Sequence, residues 1–180
     1  MSRKFLQELE VRRAQSRARG RKKDVTVDGL TARERLGLLL DKGTFQEFAP
    51  FLARGLENDP SDGGVIAGFG KVEGRRVAVF AQDSSRDQAS ASEMDTQKVG
   101  QVIERARMGG LPVVGLYDSC VPCPEEGAHG LSGLAELLWQ QTQTSGLTPQ
   151  IAVVAGPVSG VLALSVGLAD FVVVAGGGRV

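Results

Sequence analysis

Three short runs of this chain, residues 111–117, Gln150–Val154 and Phe171–Val174, are apolar at almost every position. A strand with one wet face alternates apolar and polar residues, whereas a strand that is apolar throughout is covered on both faces, as in a parallel sheet between helices. Each run follows a segment whose apolar residues recur at helical spacing. From Ala91 to Gly109-Gly110 these are Met94, Val99, Val102, Ile103 and Ala106, with Lys98 outside. Over residues 130–144 they are Leu131, Leu134, Leu137 and Leu138, all expected inward, and a third helix is expected over 159–166. Upstream, Val65–Val72 and Arg75–Gln82 flank Glu73-Gly74, the pattern of a hairpin with a short glycine turn. The fold class is therefore α/β: a hairpin followed by repeated helix–strand units.

The segment before the hairpin is different. Phe5, Leu6, Leu9 and Val11 suggest a weakly amphipathic helix that ends near Gly20. Arg12, Arg13, Arg17, Arg19, Arg21, Lys22 and Lys23 follow with no acid among them. The whole chain balances 21 Lys+Arg against 21 Asp+Glu, but residues 1–35 hold 11 bases and 5 acids, which leaves 10 and 16 for the rest. A basic arm on an acidic body seeks anions. No aromatic is interleaved with the bases and no helix-turn-helix follows, so no nucleic-acid partner is expected. A solvated helix face, and an arm that meets the phosphates of a small ligand or an acidic partner, both fit. At Thr31 a capping box with Glu34 starts a second helix, with Leu36, Leu39 and Leu40 as its buried stripe and Asp41-Lys42-Gly43 as its stop. Phe45 and Phe48 are expected to pack behind it, and residues 56–64 to form an exposed loop.

Composition narrows the chemistry. One His and two Cys are too few for the usual zinc site, and any Ser/His/Asp or Cys/His hydrolase would depend on His129. Residues 1–20 lack the apolar core of a signal peptide. Residues 151–169 carry no charge over the length of a membrane span, but Gly156, Pro157, Ser159, Gly160, Ser165 and Gly167 interrupt them and Asp170 follows. They read as strand, turn, short buried helix and strand, with no membrane partner and a cytoplasmic location. Glycine, at 24 of 180 residues, has about twice its usual share of roughly 7%. Tight turns, or backbone held close to a ligand, would use it.

In such sheets ligands collect beyond the carboxyl ends of the strands, where loops lead into helices. Residues 82–92, 118–130 and 155–160 are loops of that kind. Gly156-Pro157-Val158-Ser159-Gly160 enters a short helix whose first N–H groups have no intrahelical partner, so a thioester oxygen or a phosphate would be held there. A tight turn without a ligand fits the same pattern. Cys120-Val121-Pro122-Cys123 follows a strand and precedes a helix, like a thioredoxin-type redox pair, although Pro124 interrupts any helix starting at Cys123. Two loop cysteines without chemistry are the plainer reading, and no metal site is expected. Glu93, Glu125, Glu126, Asp83 and Asp118 are the carboxylates nearest these loops, and spacing alone makes none of them an acid or a base.

Taken in order, several stretches resemble the carboxyltransferase (beta) subunit of biotin-dependent acyl-CoA carboxylases, of the propionyl-CoA carboxylase beta type. They are Thr31-Ala-Arg-Glu-Arg-Leu36 through Leu40-Asp-Lys-Gly-Thr-Phe-Gln-Glu47, Gly63-Gly-Val-Ile-Ala-Gly-Phe-Gly70 with Gly74-Arg75 and Ala81-Gln82-Asp83, and Ser92-Glu93-Met94 with Lys98. Pro112-Val-Val-Gly-Leu-Tyr-Asp118-Ser119, Glu126-Gly127, Ser145-Gly-Leu-Thr-Pro-Gln150-Ile151 and Gly156-Pro157 continue the series. The likeness spans the N-terminal half of the family subunit. It implies a crotonase-like (ClpP/crotonase) spiral of ββα units, present here in part, with residues 1–30 as a basic helical arm and 31–180 as the acyl-CoA carboxyltransferase N-terminal domain.

The implied activity is transfer of a carboxyl group from carboxybiotin to the α-carbon of an acyl-CoA through an enolate, whose oxygen backbone N–H groups would stabilise. Nothing is bound covalently; biotin is carried by a partner. The implied partners are the second carboxyltransferase half and the biotin carboxylase and carrier subunits, in a homo- or hetero-oligomer. Ser159 and Gly160 would supply the oxyanion-loop backbone. Gly156, Pro157, Ala89 and Ser90 would contact the acyl-CoA, with Arg17, Arg21 and Lys22 on its phosphates. Cys120 and Val121 stand where the family has a glycine pair. Its Asp-Ser-Gly-Gly-Ala-Arg is Asp118-Ser-Cys-Val-Pro-Cys123 here, so Pro122 has no N–H to donate and two Cβ atoms crowd the backbone. Gly-Gly-Ser becomes Gln88-Ala89-Ser90, and a glycine pair after Gly156-Pro157 is reduced to Gly160-Val161. These losses raise the alternative of a catalytically inactive homologue kept for assembly, beside the Cys120/Cys123 redox protein.

Overall fold

The computed structural model describes residues 7, 10, 11, 14, 29–50, 52, 64–82, 90–118, 121–122 and 128–180. Of the expected first helix, Gln7, Glu10, Val11 and Ala14 are described, and all four are helical and exposed. The seven bases that follow, and most of the 56–64 loop, lie outside the described residues.

Helix α1 (Ala32–Leu39) starts at the expected capping box: Glu34 N–H donates to Thr31 Oγ1, and Thr31 N–H donates back to the Glu34 carboxylate at 2.9 Å. The short strand β1 (Gln46–Glu47) pairs antiparallel with β2 (Val65–Val72), which forms the expected hairpin with β3 (Arg75–Gln82). Glu73 and Gly74 make its turn with φ of 50° and 78°. Asp41, just past α1, accepts their N–H groups at 3.0 and 2.8 Å and so ties the helix end to the turn. Strand β4 (Ser90–Ala91), α2 (Glu93–Gly109), β5 (Val113–Tyr117), β6 (Val121–Pro122), α3 (Ala128–Thr144), β7 (Gln150–Val154), α4 (Val161–Gly167) and β8 (Phe171–Val174) complete the order.

The main sheet runs β1-β2-β3-β5-β7-β8, with β3, β5, β7 and β8 mutually parallel; β4 and β6 form a separate parallel pair. One core joins Val99, Val102, Ile103, Leu134, Leu137 and Leu162 of the helices to Phe80, Val113, Tyr117 and Val154 of the strands. A second sets Ala32, Leu36 and Leu40 against Ile66, Val79, Val114 and Leu116. All five residues of β5 are buried, as expected for a strand covered on both faces.

Three expectations need correction. Lys98 is buried at 4% exposure, because its ammonium donates to the carbonyl of Val65 at 3.2 Å. Leu131 is exposed and Leu138 half-buried, because α3 turns Gly133, Leu134 and Leu137 toward α2 and the sheet. At Gly133 a Cβ would collide with Thr96 and crowd Glu93, so the two helices meet closely on that side only. The third helix begins at Val161 rather than at residue 159, since Gly160 has φ 63° and ψ −136°, which is not helical. Strand β8 ends the sheet with all four of its residues exposed, the bare apolar edge expected of this run in a single chain.

Candidate functional site

The parallel strands β3, β5 and β7 end side by side at Gln82, Tyr117 and Val154, so the three loops read from the sequence leave one edge of the sheet. Pairing of β4 with β6 joins the first two: Ser90 lies opposite Val121, and Ala91 opposite Pro122. The backbone at two of the sequence-predicted site positions, Ser90 and Val121, is thus brought together. Ala89, Cys120, Cys123, Arg17, Arg21 and Lys22 lie outside the described residues.

Asp118 stands at the centre of this edge. It is 1% exposed, and its Oδ2 accepts from Arg35 Nη1 at 2.5 Å. Its own N–H donates to Gln82 Oε1 at 3.0 Å. Gly156 faces its carboxylate so closely that a Cβ at Gly156 would collide with Oδ1. A glycine is required there by contact, not by conformation. The loop after β7 is pinned on both sides. Ala155 and Gly156 donate to the carbonyl of Tyr117 at 2.8 and 3.3 Å, Val158 donates to the carbonyl of Arg179 at 2.7 Å, and Arg179 donates to that of Gly156 at 3.2 Å. Pro157 bridges to Arg179 in the same place. Gly160 then precedes α4 with no side-chain cap.

Behind the edge lie two buried polar groups. Asp95, in the first turn of α2, accepts from Ser92 Oγ at 2.7 Å and from the N–H groups of Ser92 and Gly64 at 3.2 Å each. Burial pushes its pKa up, opposed by these hydrogen bonds and by Lys98. Tyr117 meets Ser165 Oγ at 2.9 Å, and Ser165 donates to Gln141 Oε1 at 2.7 Å. Burial pushes the phenol up to about 12, with the Ser165 and Gln141 contacts working the other way. Both groups organise the elements beneath the edge. Among the described residues no group of three His, Cys, Asp or Glu is placed to hold a metal ion, and no helix is long and apolar enough to cross a membrane.

A separate concavity of about 300 Å³, lined by Arg33, Leu36, Leu40 and Phe45 among others, also includes Asp41. Through Asp41 it adjoins the hairpin turn, at the far end of β3 from Gln82. Arg35 and Gln82 were not singled out as site residues from the sequence. For Arg35 a signal existed: it falls at helical spacing with Ala32 and Leu39 beside Leu36, on the buried stripe.

The Carboxyl transferase domain model matches residues 26–180. The chain is 40% identical over 178 residues to the propionyl-CoA carboxylase beta chain of Cereibacter sphaeroides, which covers 93% of this chain and 35% of that one. It is 36% identical over 149 residues to the methylmalonyl-CoA decarboxylase subunit alpha of Veillonella parvula, covering 79% and 29%. Its backbone superposes on the transcarboxylase 12S structure with methylmalonyl-coenzyme A and methylmalonic acid bound, with a TM-score of 0.84 and 29% identity, over 97% of this chain and 36% of that one. The expected crotonase-like α/β fold is borne out. The chain spans about a third of the length of the curated relatives it matches. Matched by its family model from residue 26 to residue 180, this chain belongs to the carboxyl transferase domain family.

Proposed function

We propose that this chain carries the acyl-CoA-binding part of a carboxyltransferase, which transfers a carboxyl group to an acyl-CoA. The observation that carries this reading is the convergence of the three strand-end loops, with Ser90 opposite Val121 and Gly156 packed on Asp118. The enzyme's own task would be to hold the thioester so that its α-carbon can lose a proton, with main-chain N–H groups taking the developing charge on the oxygen. In this reading Gly156, Pro157, Ser159 and Gly160 would line one wall and the paired backbone at Ser90 and Val121 the other, while Ala89 and Cys120 are assigned to the acyl-CoA by the family likeness alone. Pro122 contributes no N–H, so the oxyanion donors are drawn from the other positions. Arg17, Arg21 and Lys22, in the arm of residues 1–30, suit the phosphates of CoA. Biotin on a partner would supply the carboxyl group. Since Asp118 is held by Arg35, Gln82 and Gly156, its role here is to shape the site.

Calorimetry with acetyl-, propionyl- and longer acyl-CoA tests the binding half of the claim; no heat at millimolar ligand would sink it. Carboxyl transfer in a complex reconstituted with the second half tests the rest. Acyl-CoA binding without transfer in that complex would instead favour the inactive homologue, to which the lost glycines at Cys120 and Val121 point.

A further inference from the structure

Four elements meet on the Asp118 carboxylate and its peptide. Arg35 comes from α1, Gln82 ends β3, Asp118 follows β5, and Gly156 follows β7. Arg35 is 7% exposed, so water does not compete for the pair. The helix that carries it is held at its start by the Thr31–Glu34 box, and to β1 by Arg33, which grips Glu47 with both terminal nitrogens at 3.0 and 3.2 Å. The guanidinium therefore reaches Asp118 from a braced support. Gly156 has no side chain of its own in the gap; the carboxylate fills it, so Asp118 is packed directly on the main chain at Gly156.

We propose that Arg35 is a positioning residue for the acyl thioester: by holding Asp118 it sets where Gly156 and the loop after β7, which the thioester would contact, stand against the end of β5. This rests on the acyl-CoA reading above. Without the guanidinium the buried carboxylate would lose the charge that Arg35 supplies and would shift toward water. Gly156 would then lose this contact and be held by its hydrogen bonds to Tyr117 and Arg179 alone. The nucleotide end of the ligand, held elsewhere, would be unaffected.

Two readouts on the whole chain test this: calorimetry with acetyl-CoA and with free coenzyme A, and amide exchange at Ala155 and Gly156 against Ala67 and Gly68 in the hairpin. In folded Arg35→Met, acetyl-CoA binding is expected to weaken by about tenfold, while free coenzyme A stays within about twofold. Exchange at Ala155 and Gly156 is expected to speed up while the hairpin is unchanged, and Arg35→Lys should recover most of both. Equal loss of the two ligands, no loss of either, or unchanged exchange at residues 155–156 would overturn the proposal. Should Arg35→Met not fold, Gly156→Ala displaces Asp118 from the other side. It must weaken acetyl-CoA selectively, and an equal loss would overturn the proposal in the same way. Absence of acetyl-CoA binding by the unaltered chain would sink the functional reading alone, and the exchange rates would still decide whether Arg35 sets the two loops.

Discussion

Tyr117 carries its hydroxyl into the core and keeps its proton there. With its folded value raised to about 12, the folded chain holds the proton at pH values where the unfolded chain, near 10, has lost it. Its stabilising contribution is thus complete below about pH 10 and is lost as pH rises toward 12, by roughly 2–3 kcal/mol over the interval. Tyr117→Phe is expected to flatten that alkaline loss and to cost about 1 kcal/mol near neutrality for the missing hydrogen bond, as read by urea unfolding at about pH 8 and about pH 11. Asp95 has the same sign at the acid end: its raised value means that stability falls as pH climbs past the ordinary carboxylate range. At this scale the sequence was half legible. Lys98 reads as exposed because it is charged, yet it lies three residues after Asp95 and four before Val102, both buried. Spacing pointed inward and charge outward, and the Val65 carbonyl decided between them. Arg35 posed the same conflict, with Asp118 as the deciding partner.

Elements were more legible, since a period or a cap is a local property. The Thr31–Glu34 box, the Glu73-Gly74 turn and the bounds of β2, β3, β7 and β8 follow from their own residues. The start of α2 was less plain, because its box uses Asp95 in place of the commoner Glu or Gln. Ser92 caps that helix through the Asp95 N–H and also donates to the Asp95 carboxylate at 2.7 Å. Ser92→Ala is expected to cost roughly 1–2 kcal/mol in urea unfolding. Because Asp95 also holds the Gly64 N–H, amide exchange at Gly64 should quicken in the same variant. The rotation of α3 is not legible in its own residues. Leu131, Leu134, Leu137 and Leu138 offer two overlapping apolar faces, and the close approach of α2 at Gly133 chose the one that leaves Leu131 and Trp139 outside.

At the scale of the molecule the exposed strand β8 stands out: Phe171 is 64% and Val173 53% exposed, and Leu164 and Leu168 of the preceding helix and turn are exposed as well. An apolar sheet edge of this kind invites pairing with another chain. Val173→Lys is expected to lower self-association of the isolated chain, measured as a larger monomer fraction in sedimentation; an unchanged distribution would count against the edge as its cause. The unbroken apolar run marks a surface that a partner can bury, and in a single chain it is the bare sheet edge that the sequence leads one to expect. By itself the sequence determined the α/β class, the hairpin, the helix–strand alternation and the family likeness, all of which rest on periodicity, turn chemistry and motifs that need no knowledge of distant residues. Only the tertiary structure decided which residues share the candidate site. Arg35 and Asp118 are 83 positions apart, and Gln82 and Asp118 are 36 apart. Their meeting depends on β3, β5 and β7 lying side by side with their ends level, an order that pairing between strands imposes and that no local spacing encodes.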